Sequence, residues 1–212
     1  MKVIAECGVN WRNFDEAMLM IKKAKEAGCW AAKFQLFKPS NLADAHKELP
    51  EHLYLTKGQA EFLFDYGKDA GINVFFTPMF EEAIDWCEAI GVNFYKVRHA
   101  DNKNNKLIRK MLFTPYKKLI FLSSNDGTYQ YHLDRVRVLL CIPEYPADYN
   151  EYIKKASFGY SGFSDHTKGL KLLKYAKDLN YEYFEKHVKL DDDCIEAKWS
   201  VTFEQLAEVL NT

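Results

Sequence analysis

Two histidines bracket one unit of the chain. His166 closes the run Gly162 to Thr167, Gly-Phe-Ser-Asp-His-Thr, and His187 lies in Tyr183 to Val188, Tyr-Phe-Glu-Lys-His-Val. Between them Leu170, Leu173, Ala176 and Leu179 recur at helical spacing. A strand, a helix and a strand of this length make a right-handed parallel crossover, which places one imidazole at the C-terminal end of each strand. Parallel neighbours run about 4.7–4.9 Å apart, so both rings could reach one ion. Two histidines leave coordination positions open for water or substrate, as a catalytic rather than structural site requires. Spacing alone also fits two ordinary polar residues at strand ends, since histidine is a common loop residue as well as the commonest metal ligand.

The same alternation runs through the chain. Short apolar runs at 2–9, 30–37, 73–77, 93–99, 118–123, 135–142, 160–164 and 183–188 read as strands. Helical patterns at 14–28, 56–71, 80–91, 105–113, 149–157, 168–180 and 202–211 separate or follow them. Strands alternating with helices point to a parallel sheet, and eight of them favour closure into a (β/α)8 TIM barrel over an open doubly wound sheet. No Gly-x-Gly-x-x-Gly follows the first strand, which weakens a dinucleotide-binding fold. At 212 residues the chain sits near the lower limit of about 200 for such a barrel. The segment Asn125 to Asp134 is polar, contains Asp126-Gly127 and is too short for a full helix, so the helix between strands five and six is expected to be missing or reduced. The aromatic-rich run Tyr129 to His132 beside it fits either a contact surface or a cover over strands left bare.

Composition bounds the alternatives. Apolar residues make up 48% and aromatics 15%, with 10 Gly and 6 Pro, which predicts one folded domain over 1–212. Lys plus Arg number 29 against 30 Asp plus Glu, so no global field recruits nucleic acid or membrane. No apolar run approaches the roughly 20 residues of a membrane span, and the N-terminus lacks a signal pattern. The expected compartment is cytoplasmic. Five scattered cysteines, Cys7, Cys29, Cys87, Cys141 and Cys194, argue against a disulfide framework or thiolate cluster.

Barrel active sites lie at the C-terminal strand ends, and a ring of polar residues stands there. Strand one brings Glu6, strand two Lys33 and Gln35 on one face by the two-residue period, strand three Thr77, strand four Lys96 and strand five Ser123. Strand six leads to Glu144-Tyr145-Pro146, strand seven supplies Ser164, Asp165 and His166, and strand eight Glu185 and His187. Both lysines interrupt apolar strands, and an unpaired buried charge is costly; Glu6, Glu185, Asp101 or a bound anion are the candidate partners. Two inward lysines with Thr77, Ser123 and Ser164 suit a small phosphorylated carboxylate, each charge-assisted hydrogen bond contributing roughly 1.5–3 kcal/mol.

Taken together, Ile-Ala-Glu-Cys-Gly-Val-Asn (4–10), Ala-Lys-Phe-Gln (32–35), Phe-Phe-Thr-Pro (75–78), Tyr-Lys-Val (95–97), Leu-Ser-Ser (122–124), Glu-Tyr-Pro (144–146), Ser-Asp-His-Thr (164–167) and Glu-Lys-His (185–187) resemble the catalytic barrel of the N-acetylneuraminate (sialic acid) synthase family. Each piece is short, but all fall in the family's order. The resemblance implies condensation of phosphoenolpyruvate with an aldose such as N-acetylmannosamine, giving a sialic-acid-like nonulosonic acid and phosphate. It implies a divalent ion, Mn2+ or Mg2+, on His166 and His187. It assigns phosphoenolpyruvate contacts to Lys33, Thr77, Lys96, Ser123 and Ser164. Sugar contacts and acid/base carboxylates fall on Glu6, Gln35, Asp101, Tyr145 and Glu196, with Glu6, Asp101 and Glu196 as the catalytic set.

Departures from the family pattern fall on one phosphate contact and around the sugar. His99-Ala100, preceded by Arg98, replaces a Ser-Gly after the strand-four lysine, Pro143 stands where the family has Asn or Ser, Trp11 where it has His, and the loop after the second histidine shortens to Asp191 to Glu196. Most members continue into a small antifreeze-like domain, which has no counterpart before Thr212. The implied protein partner is therefore a second copy of the chain or a separate subunit. Two other readings stay open: a non-catalytic or regulatory barrel that binds a sugar or an anion, and a metal-assisted aldolase or lyase that does not use phosphoenolpyruvate.

Overall fold

The apolar runs pair into a closed parallel barrel. The structure, a computed structural model, describes residues 1–42, 49–115, 118–127, 134–157 and 159–211. Its strands are β1 (Lys2–Gly8), β2 (Ala31–Leu36), β3 (Asn73–Pro78), β4 (Phe94–Val97), β5 (Leu119–Ser124), β6 (Val136–Cys141), β7 (Gly162–Asp165) and β8 (Tyr183–Lys189). Each pairs in parallel with the next, and β8 also pairs with β1 to close the ring. The helices are α1 (Phe14–Glu26), α2 (Lys57–Ala70), α3 (Glu81–Ile90), α4 (Asn105–Leu112), α5 (Tyr149–Lys155), α6 (Lys171–Asp178) and α7 (Phe203–Leu210). The (β/α)8 expectation holds. Residues 125–127 and 134–135, between β5 and β6, carry no helix; Tyr129 to His132 lies outside the described residues.

Local chemistry sets the helix starts. Thr56 and Thr202 open α2 and α7 with capping boxes completed by Gln59 and Gln205. One element was not legible in the sequence: Val201–Thr202 forms a short ninth strand, β9, pairing with Val188 and Lys189 of β8. Thr202 thus ends β9 and caps α7. No helix among the described residues is long and apolar enough to cross a membrane, and all five cysteines are free thiols.

The two-residue strand period sorts side chains into layers. Outward residues such as Val3, Phe34, Phe76, Tyr95, Leu122, Leu140 and Phe184 join the larger core beneath the helices. Inward, Ile4, Ala31, Phe75, Phe121, Leu139 and Tyr183 form a second cluster with Trp30, Phe94 and Leu119. Its rings meet edge-on, with Trp30 to Phe94 and Phe121 to Tyr183 both at 4.8 Å between centroids. Burying each such side chain contributes about 1.5–3 kcal/mol. Gly162 is the inward residue of β7 in this layer. A Cβ there would lie 1.8 Å from the Tyr183 carbonyl oxygen, so only glycine lets β7 approach β8. This plug closes the floor, and the next inward residue on each strand stands directly above it.

Candidate active site

Two residues beyond the apolar layer the barrel turns polar: Glu6, Lys33, Thr77, Lys96, Ser123, Cys141, Ser164 and Glu185 all line one cavity of about 250 Å3. Gln35, His166 and His187 stand one step higher, and Tyr145, Glu196 and Trp199 wall the mouth. Eleven of the twelve residues singled out in the sequence therefore meet in one place. Asp101 does not line the cavity. It sits in the turn His99–Asp101 after β4, where its carboxylate accepts a hydrogen bond from Arg98 Nε at 2.5 Å.

The buried lysines are held by carboxylates. Lys33 pairs with Glu6, donates to Thr77 Oγ1 at 2.9 Å and faces Glu185 Oε2 at 3.9 Å. Lys96 lies 2.5 Å from Glu185 Oε1 and 3.4 Å from Ser164 Oγ, while Ser164 Oγ donates to Glu185 Oε1 at 2.8 Å. Of the partners the sequence offered, Glu6 and Glu185 are realised and Asp101 is not. Burial disfavours the Lys33 ammonium, yet Glu185 and Glu6 outweigh that and raise its pKa. Burial likewise opposes ionisation of Glu185, but Lys33, Lys96 and the hydrogen bonds from Lys96 and Ser164 hold it down at about 2. Glu185 Oε2 accepts no hydrogen bond among the described residues. The charged floor is thus internally compensated, with one carboxylate oxygen still open.

Cys141 joins this floor as a passive member. Burial pushes its thiol up to about 11, so it stays protonated and is no nucleophile at neutral pH.

The histidines present the same edge. His166 Nδ1 lies 2.8 Å from the Ile142 carbonyl oxygen. A carbonyl only accepts, so Nδ1 carries the proton and Nε2 keeps its lone pair. His187 Nδ1 lies 2.8 Å from Glu196 Oε2, which by the same logic leaves Nε2 of the neutral ring free. The ring centroids are 5.3 Å apart. Burial, with the neighbouring His187 next, holds the His166 pKa well below its ordinary value and keeps the ring neutral. For His187 burial acts in the same direction but Glu196 prevails, and the pKa rises. A partner on Nδ1 that orients the ring and frees Nε2 is the arrangement found behind metal-ligating histidines, so the pair fits a divalent ion. Among the described residues no set of three or more His, Cys, Asp or Glu side chains forms a metal cage.

Glu196 owes its position to the end of β1. Gly8 takes a φ of +45° at a break in the β1–β2 register between Glu6 and Gly8. A Cβ there would crowd Glu196 Oε2 at 2.9 Å and Glu6 Oε1 at 3.0 Å. Asn10 then accepts the Glu196 backbone N–H at 3.0 Å and donates to the Val188 carbonyl at 2.8 Å and Ser200 Oγ at 2.9 Å. The loop after β8 is therefore stitched to the loop after β1. Gln35 Nε2 donates to Glu6 Oε1 at 2.7 Å, which fixes the carboxylate between Lys33 and the mouth.

Three participants escaped the sequence analysis as site residues. Glu185 stood there in the polar ring and as a possible lysine partner but was given no role in the site, although its two-residue spacing from His187 puts both on the inner face. Trp199 packs 5.3 Å from Tyr145 and 6.3 Å from His187, and its buried Nε1–H has no acceptor among the described residues. Tyr145 in turn lies 4.1 Å from His166. No periodicity marks Trp199, because it lies in a loop. The third, Tyr152, lies behind the wall on α5, and its hydroxyl contacts the strand ends that carry Ser164 and His166.

A closed parallel barrel whose C-terminal rim gathers lysines, carboxylates and paired histidines has its pocket where barrel enzymes keep their active sites. The family model described as the NeuB family matches residues 20–212, and the chain belongs to that family. Among curated relatives, an N,N'-diacetyllegionaminic acid synthase of Campylobacter jejuni is 27% identical over 228 residues, covering 89% of this chain and 67% of that protein. A human N-acetylneuraminate-9-phosphate synthase is 26% identical over 248 residues, covering 99% of this chain and 68% of that protein. The chain spans about two-thirds of the length of the curated relatives it matches. Among solved structures, a sialic acid synthetase of Leptospira borgpetersenii in complex with citrate superposes with a TM-score of 0.85 at 21% identity. The alignment covers 99% of this chain and 81% of that one, and it shows the shared fold.

Proposed function

We propose that this barrel condenses phosphoenolpyruvate with an aldose of the N-acetylmannosamine type to give a sialic-acid-like sugar acid and phosphate, using a divalent ion, Mn2+ or Mg2+, on His166 and His187. The observation that carries the reading is the convergence, in one NeuB-family cavity, of two buried lysines and two imidazoles whose Nδ1 atoms are each engaged by an oxygen, which leaves Nε2 as the available ligand atom.

The chain's own residues divide the work. Lys33 and Lys96, with Thr77, Ser123 and Ser164, form a donor-rich floor for the phosphate and carboxylate of phosphoenolpyruvate. Glu6 and Glu185 hold both lysines in place before the ligand arrives, so little reorganisation is needed on binding. A divalent ion bound at the histidines would act as a Lewis acid on the aldehyde oxygen of the sugar. The new bond joins the enol carbon to the aldehyde carbon, the aldehyde oxygen gains a proton, and water completes the release of phosphate. Glu6 lies at the junction of floor and mouth, bonded to Gln35 and Lys33, and is the carboxylate best placed to exchange a proton with that water. Glu196 acts through His187. Tyr145 and Gln35 offer polar contacts to the sugar, and Asp101 holds Arg98 rather than touching it.

Calorimetric titration of phosphoenolpyruvate into metal-stripped protein, with and without Mn2+, tests this reading. Binding strengthened by Mn2+ in the wild type and not in His166→Ala/His187→Ala supports it. Absence of binding in both conditions would favour the non-catalytic alternative.

A further inference from the structure

Tyr152 is fully buried on α5, outside the barrel wall, with its ring 6.1 Å from Phe163. Phenylalanine would supply that packing. A buried hydroxyl is costly unless bonded, and this one is bonded to capacity. It accepts from the backbone N–H of Ile142 at 3.2 Å and of His166 at 3.2 Å, and it donates to the Ser164 carbonyl at 2.6 Å. One donor and two lone pairs are all that a phenol has.

The location of these bonds gives them a consequence. The β6–β7 ladder pairs Leu139 with Gly162, Leu140 with Phe163 and Cys141 with Ser164, and goes no further. Ile142 and His166 are residues just past its end, where two strands would otherwise splay. The Tyr152 oxygen bridges them in place of the missing rung. The same Ile142 whose N–H it holds turns its carbonyl to His166 Nδ1 at 2.8 Å, the contact that sets the tautomer. We propose that Tyr152 is a positioning residue for His166: its hydroxyl locks the ends of β6 and β7 so that the imidazole keeps its proton on Nδ1 and offers Nε2 to a divalent ion. The proposal rests on the metal site of the proposed function, and its test separates the two.

Removing the hydroxyl in Tyr152→Phe leaves the ring and frees two N–H groups and one carbonyl. Mn2+ affinity, measured by calorimetry well below the unfolding temperature, is expected to fall about 10-fold or more, the usual cost of losing a partner behind a metal ligand. Phosphoenolpyruvate affinity without metal is expected to fall by less than the Mn2+ affinity, since the hydroxyl meets Ser164 only at its backbone carbonyl and touches no lysine. Phe163→Leu, which loosens the same packing and keeps the hydroxyl, is expected to lower the unfolding temperature without changing the Mn2+ affinity. Long-range 15N correlation spectra of metal-free protein give a second readout: the Nδ1–H form of His166 in the wild type and a mixture of tautomers in Tyr152→Phe. Unchanged Mn2+ affinity in a folded Tyr152→Phe overturns the proposal. So does an Nε2–H tautomer of His166 in the wild type, which decides the matter even if the variant does not fold. Wild-type protein that shows the Nδ1–H tautomer and binds no Mn2+ overturns the metal reading itself.

Discussion

Lys96 Nζ lies 2.5 Å from Glu185 Oε1 across the barrel, with both side chains buried. The lysine is thus already oriented when an anion enters. Lys96→Met removes one charge-assisted contact of roughly 1.5–3 kcal/mol, so the phosphoenolpyruvate Kd is expected to rise about 10- to 150-fold by calorimetry. Unchanged affinity would remove Lys96 from the anion site.

The same carboxylate gives the fold an acid limit. Glu185 has a native pKa of about 2 against an ordinary 4.5, so below the ordinary value the unfolded chain binds the proton that the native state refuses. Its contribution, of order 3 kcal/mol, is complete above about pH 4.5 and is lost as the pH falls toward about 2. Denaturation free energies measured across that window are expected to fall more steeply for wild type than for Glu185→Gln. Parallel slopes would contradict the assignment.

On the outer face of β7 and β8, Lys186 and Asp165 form an ion pair at 3.0 Å with no exposed surface. They flank His187 and His166 in sequence, and Lys186 also donates to the Thr167 carbonyl at 2.5 Å. Lys186→Met strands a buried carboxylate and is expected to cost about 3–5 kcal/mol in chemical denaturation, with part recovered when Asp165→Asn is added. A double variant no better than the single one would show that the pair is not the reason for the loss.

At the mouth, Trp199 offers an indole N–H that no described residue accepts. If the sugar uses it, Trp199→Phe removes one hydrogen bond of about 1 kcal/mol and raises the KM of the aldose about fivefold, leaving phosphoenolpyruvate affinity unchanged. Equal effects on both ligands would place Trp199 in the scaffold instead.

Much of this was legible in the sequence because strands have a fixed period. Once Lys33, Lys96 and His187 are assigned to strands, the two-residue alternation decides that they face inward, and the ring at the C-terminal ends follows. What that period does not specify is who stands opposite whom. Glu185 rather than Asp101 became the Lys96 partner because β8 lies across the barrel from β4, whereas Asp101 turns away with the chain after Val97. Trp199 and β9 belong to the loop after β8, whose shape is set by long-range bonds to Asn10 and not by any local pattern. Tyr152 was hidden for a simpler reason: an aromatic residue on an amphipathic helix looks like core, and only the strand ends it touches distinguish it.

The most direct test of the whole account is the reaction itself. Mn2+-loaded protein is incubated with phosphoenolpyruvate and a panel of aldoses led by N-acetylmannosamine, and inorganic phosphate and products are followed by colorimetry and mass spectrometry. The account predicts phosphate release that depends on an aldose, in equal amount to a new acid whose mass is that of the sugar plus one pyruvic acid, and loss of both in Lys96→Met. Protein that binds phosphoenolpyruvate and Mn2+ yet releases no phosphate with any aldose would contradict it.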